Sequence, residues 1–501
     1  MERTAVIDMG SNSWRLVVYG WQPGGWWKLV DEIREAVRIG ERMGDELTLK
    51  PEPMQRALRA AAVFAAFCST SGVEDVRAVA TSAIRDARNR DELLGAIRER
   101  TALDVRVLSG EEEARYDWLA VANSTTLSDG FGLDVGGGSV QALRLRGRRL
   151  ADAVSLPLGA VRVTEAFLPA DDVKRKHADA LREHVAGELE ALGWLSGGGR
   201  LVGVGGTIRN LATAALKRAG HPDTGVQGYV LARDALDDLV DELASRPAAK
   251  RGSIPGIKPD RGDVILGGAL VVQTVMEVGG FDGVELTRFG LREGVFLERF
   301  LGGDEPLTPD VRRDAVDRLA GWFRPDRRHD RHVARLSLEL LDGLEAAGLA
   351  EPSAADRELL EAACQLHDIG TAIDYDDHHK HSRYLILSAG LPGFSPRELL
   401  LVALVARWHR KGDPDISELG EIALEGDPQR LDLLAGIVRM AEQFERSRDG
   451  AIRSVRVEAG EHGVRLNAEA PGDATVPLWA AKRNAGLLER ALGREVEVVG
   501  A

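Results

Sequence analysis

Over the first 300 residues short apolar runs alternate with longer amphipathic stretches. Residues 105–108 (Val-Arg-Val-Leu) read as a strand and 111–122 as the helix after it; 201–204 read as a strand and 207–216 as a helix. This alternation predicts α/β layers. Beyond Pro306 the pattern changes. Residues 312–344, 354–367 and 396–408 carry helical periodicity with few strand-like runs. The stretch 301–309, rich in Gly and Pro, reads as a linker. Near the end a strand pair is expected over 454–459 and 463–468, then a helix over 478–492 and a strand over 495–499.

One pattern occurs twice. Ala5-Val-Ile-Asp-Met-Gly-Ser-Asn-Ser13 and Gly132-Leu-Asp-Val-Gly-Gly-Gly-Ser139 are each an apolar strand, then Asp-x-Gly, then a small polar loop ending in Ser. Repetition at domain-sized separation predicts two similar halves facing each other across a cleft. Glycine lets such a loop turn tightly and bring N–H groups against a phosphate. Gly10, Ser11, Asn12 and Ser13 form the first candidate cradle, and Gly136, Gly137, Gly138 and Ser139 the second. Asp8 and Asp134 are placed to hold Mg²⁺ (or Mn²⁺) between phosphate oxygens. A third Gly-rich loop, Gly203-Val-Gly-Gly-Thr-Ile-Arg209, opens a helix, so Gly205, Gly206 and Thr207 are candidates for anion contact. Arg85, at a strand end, and Arg292, in Gly290-Leu-Arg-Glu-Gly294, add placed positive charge. No G-x-x-x-x-G-K-[ST] occurs and no G-x-G-x-x-G follows a strand, which argues against a P-loop enzyme or a dinucleotide fold.

Composition narrows the class. The 501 residues include 79 acidic and 65 basic side chains, a formal charge of −14. That balance speaks against a nonspecific nucleic-acid binder. Cys68 and Cys364 are too few for a disulfide framework or a Cys-rich zinc site. Uncharged runs such as 264–276 fall short of the roughly 18–20 apolar residues of a membrane span. The first residues lack the basic region and apolar core of an export signal. A cytoplasmic protein with no membrane partner is expected.

The ordered segments DMGSNSWRL, ATSAIRDA, SGEEEAR, LDVGGGSVQ, GVGGTIRN and GLREGVFLE resemble the exopolyphosphatase/guanosine pentaphosphate phosphohydrolase family. Leu366-His-Asp-Ile-Gly370, Leu391-Pro-Gly-Phe and Trp408-His-Arg-Lys resemble the HD-like helical domain of its long members. The resemblance implies two actin-like (ribonuclease H-like) α/β domains over 1–123 and 124–303. A helical HD-like domain over 304–450 and a small α+β region over 451–501 would follow. It implies metal-dependent hydrolysis of a terminal phosphoanhydride, on inorganic polyphosphate or, with the same chemistry, on pppGpp. A homodimer is expected on the same ground. A polyphosphate- or alarmone-binding regulator without efficient turnover is the non-catalytic alternative.

Phosphoanhydride hydrolysis needs a carboxylate to orient or deprotonate water. Glu111, Glu112 and Glu113 follow Ser109-Gly110. Ser109-x-x-Glu112 is a capping box, which gives Glu112 a structural task and leaves Glu113 freer to face the cleft. The family pattern likewise assigns the base to Glu113, with Arg85 and Glu112 beside it. Relatives carry a metal-holding Glu two residues after the Ser of the second loop. Here that position is Gln141, and weaker Mg²⁺ binding is expected.

Seven of the eleven histidines lie between 329 and 409. By resemblance to HD phosphohydrolases, a second divalent metal is expected on His332, His367, Asp368, His381, His409 and Glu442. His378 and His379 read as solvated loop residues. The segment 312–335 holds eight Arg and four Asp. It reads either as a strip that attracts a polyanion or as a solvated helix face with internal ion pairs.

Overall fold

The apolar run Ala5-Val6-Ile7 is buried on both faces, and that places β1 (Glu2–Met9) at the centre of a sheet. In this computed structural model the described residues are 1–44, 46–169, 173–323, 327–460 and 463–500. β2 (Trp14–Trp21) and β3 (Trp27–Glu35) add antiparallel on one side of β1, while β4 (Asp75–Ala80) and β5 (Val105–Val107) add parallel on the other. The order is β3-β2-β1-β4-β5.

A second sheet repeats this plan. β6 (Gly130–Val135) is flanked by antiparallel β7 (Val140–Arg146) and β8 (Arg149–Leu156), and by parallel β9 (Leu201–Val204). β11 (Gly283–Leu286) pairs parallel with β9, and β10 (Val230–Ala232) caps that edge antiparallel. The mixed α/β architecture is therefore duplicated, and the repeated Asp-x-Gly pattern marks the first hairpin of each copy. Register makes the equivalence close: Asp8 faces Arg15 across β1–β2, and Asp134 faces Gln141 across β6–β7. Residues directly opposite in an antiparallel pair share one face of the sheet.

Helices Gly110–Ala122 and Leu291–Leu301 lie in a core shared by both sheets, with Val6, Val17 and Tyr19 on one side and Leu143 and Val202 on the other. Tyr19 and Phe296 stack with ring centroids 4.3 Å apart, and the Tyr19 hydroxyl donates to Glu293 Oε1 at 2.8 Å. The two helices approach so closely at Gly294 that a Cβ there would fall against the Tyr116 carbonyl.

By contact density the chain forms two units, one of Met1–Gly220 with Val226–Val311 and the other of Arg312–Ala501 with His221–Gly225. In the second, helices Arg327–Ala346, Ala354–Leu366, Pro396–Trp408 and Asp427–Phe444 bury Leu336, Leu360, Leu400 and Ile437 in one core. β12 (Ser454–Ala459), β13 (Gly463–Glu469) and β14 (Glu495–Gly500) form a three-stranded sheet that contributes Val455, Leu466 and Val498 to the same core. Over 312–344 the described residues are helical as expected, in Val311–Phe323 and Arg327–Ala346. Arg324, Pro325 and Asp326, part of the charged strip, lie outside the described residues. The helix expected over 478–492 is instead two, Thr475–Asn484 and Gly486–Leu492.

Candidate active site and a second buried cluster

A cavity of about 130 Å³ opens between the two sheets of the first unit, lined by the turns of both Asp-x-Gly hairpins. Its walls include Asp8, Gly10, Ser11, Asn12, Ser13, Asp134, Gly136, Gly137, Ser139, Gln141, Gly205, Gly206, Arg292 and Glu113. The carbonyls of Gly136 and Gly137 accept from Ala160 and Val161 N–H at 2.9 and 2.8 Å, which turns the carbonyl side of that loop away to a neighbouring helix. Gly205 has φ +81°, and a Cβ there would fall against Asp134 Oδ1. Only glycine lets this helix start approach the carboxylate so closely.

Some expected residues sit elsewhere. Thr207 is buried with its methyl against Gly268, so its side chain does not line the cavity. Gly138 lies behind the wall, where a Cβ would meet the Ser82 and Ser11 hydroxyls. Those two hydroxyls share a hydrogen bond of 2.9 Å. Arg85 reaches the site only through Glu113, whose Oε2 accepts from Arg85 Nη1. Glu112 is not part of the wall. It accepts from Ser109 N–H at 2.8 Å, Ser109 Oγ accepts from Glu112 N–H at 3.1 Å, and its other oxygen pairs with Arg106. These bonds form the capping box that Ser109-x-x-Glu112 predicts, so Glu112 stands beside the cavity as a helix cap.

Burial raises Glu113 to about 7, with Asp134 and Asp8 adding to the rise and Arg85 opposing it. A carboxylate poised near neutrality suits a general base. Burial also raises Asp134, to about 6, and Asp8. Gln141 donates from Nε2 to Ser139 Oγ at 2.9 Å and Ser155 Oγ at 3.0 Å, which fixes its amide.

Four charged wall residues escaped the reading of the sequence: Arg15, Asp117, Arg209 and Arg261. Arg15 and Arg209 stand inside the motifs quoted above, so spacing could have found both; Asp117 lies one helical turn after Glu113. Arg261 had no signal; it packs so close to Gly206 that a Cβ there would be 2.8 Å from its Nη2. Burial lowers Arg15, to about 10, and lowers Arg209; in both the Arg292 charge is the next cause. Burial and Arg34 lower Arg261 in the same sense. Burial also opposes the charge of Arg292, but Glu293 and Asp8 outweigh it and raise that group. Mutually repelling, desolvated guanidinium groups make a strong anion site.

Asp117 is 1% exposed, and burial, with Asp134, Glu113 and Asp8 nearby, raises it well above the usual carboxylate range. Asp117 Oδ1 and Asp134 Oδ1 are buried with no hydrogen-bond partner among the described residues. An oxygen-only donor set with two such orphan atoms fits a hard divalent cation.

In the second unit, His329, His367, Asp368 and Glu442 bring ligand atoms together, as do Asp368, His378 and His409, and all six residues are buried. His332 is not among them. It lies part-buried, with Nε2 3.0 Å from the Ile452 carbonyl, while His329 falls on the buried face with Val333, Leu336 and Leu340. His381 is likewise replaced by His378, which opens helix His378–Ala389 and is 4% exposed rather than solvated. His379 is fully buried as well, and burial lowers it to about 4. Burial opposes the charge of His367, but Asp368 and Glu442 outweigh it and hold it at about 9; burial lowers His409 to about 3. Three arginines of 312–335 are ion-paired within the unit. Arg312 contacts Glu398 and Glu358 at 2.9 and 3.1 Å, Arg327 contacts Asp317 at 2.7 Å, and Arg335 pairs with Glu339.

No helix of the described residues is long and apolar enough to cross a membrane. Residues 17–302 match the model of the Ppx/GppA phosphatase family, and 311–481 match its domain III. Among solved structures, the Ppx/GppA family member of Aquifex aeolicus is 28% identical, with a TM-score of 0.53 over 61% of this chain and 99% of its own. An exopolyphosphatase from Cytophaga hutchinsonii shares the fold at 22% identity, with a TM-score of 0.55 over 60% of this chain and 98% of its own. With its loops, its buried carboxylates and both family segments in order along the sequence, the chain belongs to the Ppx/GppA phosphatase family.

Proposed function

We propose that this protein is an exopolyphosphatase, releasing orthophosphate from the ends of inorganic polyphosphate by attack of water on the terminal phosphorus. The observation that carries the reading is the convergence of Glu113 with two glycine-rich hairpin turns and four arginines on one cavity. Glu113 accepts a proton from the attacking water. The bridging P–O bond breaks, orthophosphate leaves, and a chain shorter by one phosphate remains. Arg85 orients Glu113, since its guanidinium grips one carboxylate oxygen. Arg15, Arg209, Arg261 and Arg292 balance the charge of the chain end, and the loop N–H groups supply fixed dipoles. Asp8, Asp117 and Asp134 would hold Mg²⁺ or Mn²⁺, whose positive charge would neutralise the phosphate oxygens. Gln141 occupies the place of the metal-holding Glu of relatives, and Asp117 returns that charge from the helix that carries Glu113.

The cavity walls contain no Phe, Tyr or Trp among the described residues. A nucleobase would find no stacking platform there, and this favours a plain phosphate chain over pppGpp. Phosphate release from long-chain polyphosphate and from pppGpp, at equal enzyme and with Mg²⁺ or Mn²⁺, tests the reading, with Glu113→Ala as control. Faster release from polyphosphate, lost in the variant, is expected. Faster release from pppGpp would move the assignment to the nucleotide, and binding without release would make the protein a regulator.

A further inference from the structure

We propose that the second unit holds two divalent transition-metal ions, one on His329, His367 and Glu442, the other on His378 and His409, with Asp368 shared between them. Buried polar groups need partners, and six clustered imidazoles and carboxylates cost more to bury than a packed core would. The orientation of the rings gives the reason for keeping them.

His367 Nδ1–H donates to the Cys364 carbonyl at 2.6 Å, His378 Nδ1–H to Tyr375 at 2.8 Å, and His409 Nδ1–H to Ala406 at 2.7 Å. A carbonyl can only accept, so each of these rings commits its Nδ1 proton outward and turns Nε2 into the cluster, where a metal would displace any proton that Nε2 carries. Such outward bonds fix the tautomer of metal-ligating histidines. His378 Nε2 and His409 Nε2 then stand 3.2 Å apart, each ring with its Nδ1 against a backbone carbonyl. A shared cation resolves that contact.

The distances fit. His329 Nε2 and His367 Nε2 lie 3.0 and 3.1 Å from Glu442 Oε2, and His378 Nε2 lies 3.1 Å from Asp368 Oδ1. Metal–ligand bonds of about 2.0–2.2 Å place neighbouring ligands roughly 3 Å apart. Longer separations of 3.7, 3.8 and 4.0 Å run from Asp368 to His409, His367 and His329. Asp368 thus spans both groups, and Arg448 Nη2, donating to Asp368 Oδ2 at 2.6 Å, neutralises it from outside. Four imidazoles with two carboxylates select Mn, Fe, Co or Zn over Mg²⁺.

The test is metal content by mass spectrometry. The full chain, purified without a His-tag, is incubated with Mn²⁺, Co²⁺ or Zn²⁺ and then desalted. Wild type is expected to retain two equivalents more than Asp368→Asn, and one more than His409→Ala. His332→Ala and His381→Ala are expected to match wild type. Circular dichroism and thermal unfolding establish that each variant is folded; His409→Ala, the milder change, keeps the test alive if Asp368→Asn is not. A wild-type excess of one equivalent or none over folded Asp368→Asn would overturn the two-ion site. So would a His409→Ala variant that retains the full wild-type content.

Discussion

Two buried clusters in this chain meet the same problem with different chemistry. In the α/β unit, Asp8, Asp117, Asp134 and Glu113 are carboxylates crowded together, and burial raises every one of them. In the helical unit Glu442 is equally deep, and burial again opposes its charge, yet hydrogen bonds from His329 and His367 hold it far below the usual carboxylate range. Burial alone therefore decides little. What surrounds the carboxylate decides: like charges in one case, imidazoles in the other. The first cluster suits a hard cation and a phosphate, and the second suits softer metals.

The largest expected effect breaks the first cluster and leaves the second intact. Glu113→Gln removes the proton acceptor but keeps the shape, so kcat for phosphate release should fall about 10²–10⁴-fold. Polyphosphate binding and the metal content of the helical unit should persist. A residual rate within tenfold of wild type would move the base elsewhere. Next in size is Asp117→Asn, expected to raise the Mg²⁺ concentration for half-maximal release about tenfold and to weaken Mn²⁺ binding measured calorimetrically without substrate. Gln141→Glu should shift the same titration severalfold the other way, and an unchanged titration would remove Gln141 from the account.

The pH profile sharpens the contrast. Glu113 must be ionised to accept a proton, so kcat/KM should fall as pH drops through its pKa of about 7. Cation on Asp134 and Asp8 neutralises two of the groups that raise it. The acid limb should therefore move below 7 as Mg²⁺ is increased, and a limb indifferent to Mg²⁺ would separate Glu113 from the cation. The smallest effect concerns the cap. Ser109→Ala should cost about 1 kcal/mol in unfolding experiments, with kcat within twofold of wild type. A large loss of kcat would return Glu112 to the catalytic group.

The hairpin loops were legible because their chemistry is local: Asp, Gly and Ser at fixed spacing can be read without knowing what they face. Glu113 could be separated from Glu112 for the same reason, since a capping box spans four residues. Asp117 could not be placed that way. A charged residue within a helix reads as solvated until that helix is known to lie between two sheets. His329 and His332 differ by less than one helical turn, and the arginines around them blur the apolar stripe. The buried set Val333, Leu336 and Leu340 points to His329, a face that motif spacing alone does not reveal. Arg261 comes from a loop distant in sequence, and only the fold brings it over Gly206.

The close crossing at Gly294 bears on how a polymer could be trimmed one unit at a time. Helix Gly110–Ala122 carries Glu113, the proposed base, and helix Leu291–Leu301 carries Arg292 near its start. Backbone meets backbone where they touch, with no side chain between to yield. On the proposed function the pair would act as a ruler of fixed length, with the gap between proton acceptor and phosphate clamp constant as the bound chain shortens. Each new end would then be offered to the same measure, and one phosphate would leave per turnover whatever remains of the chain.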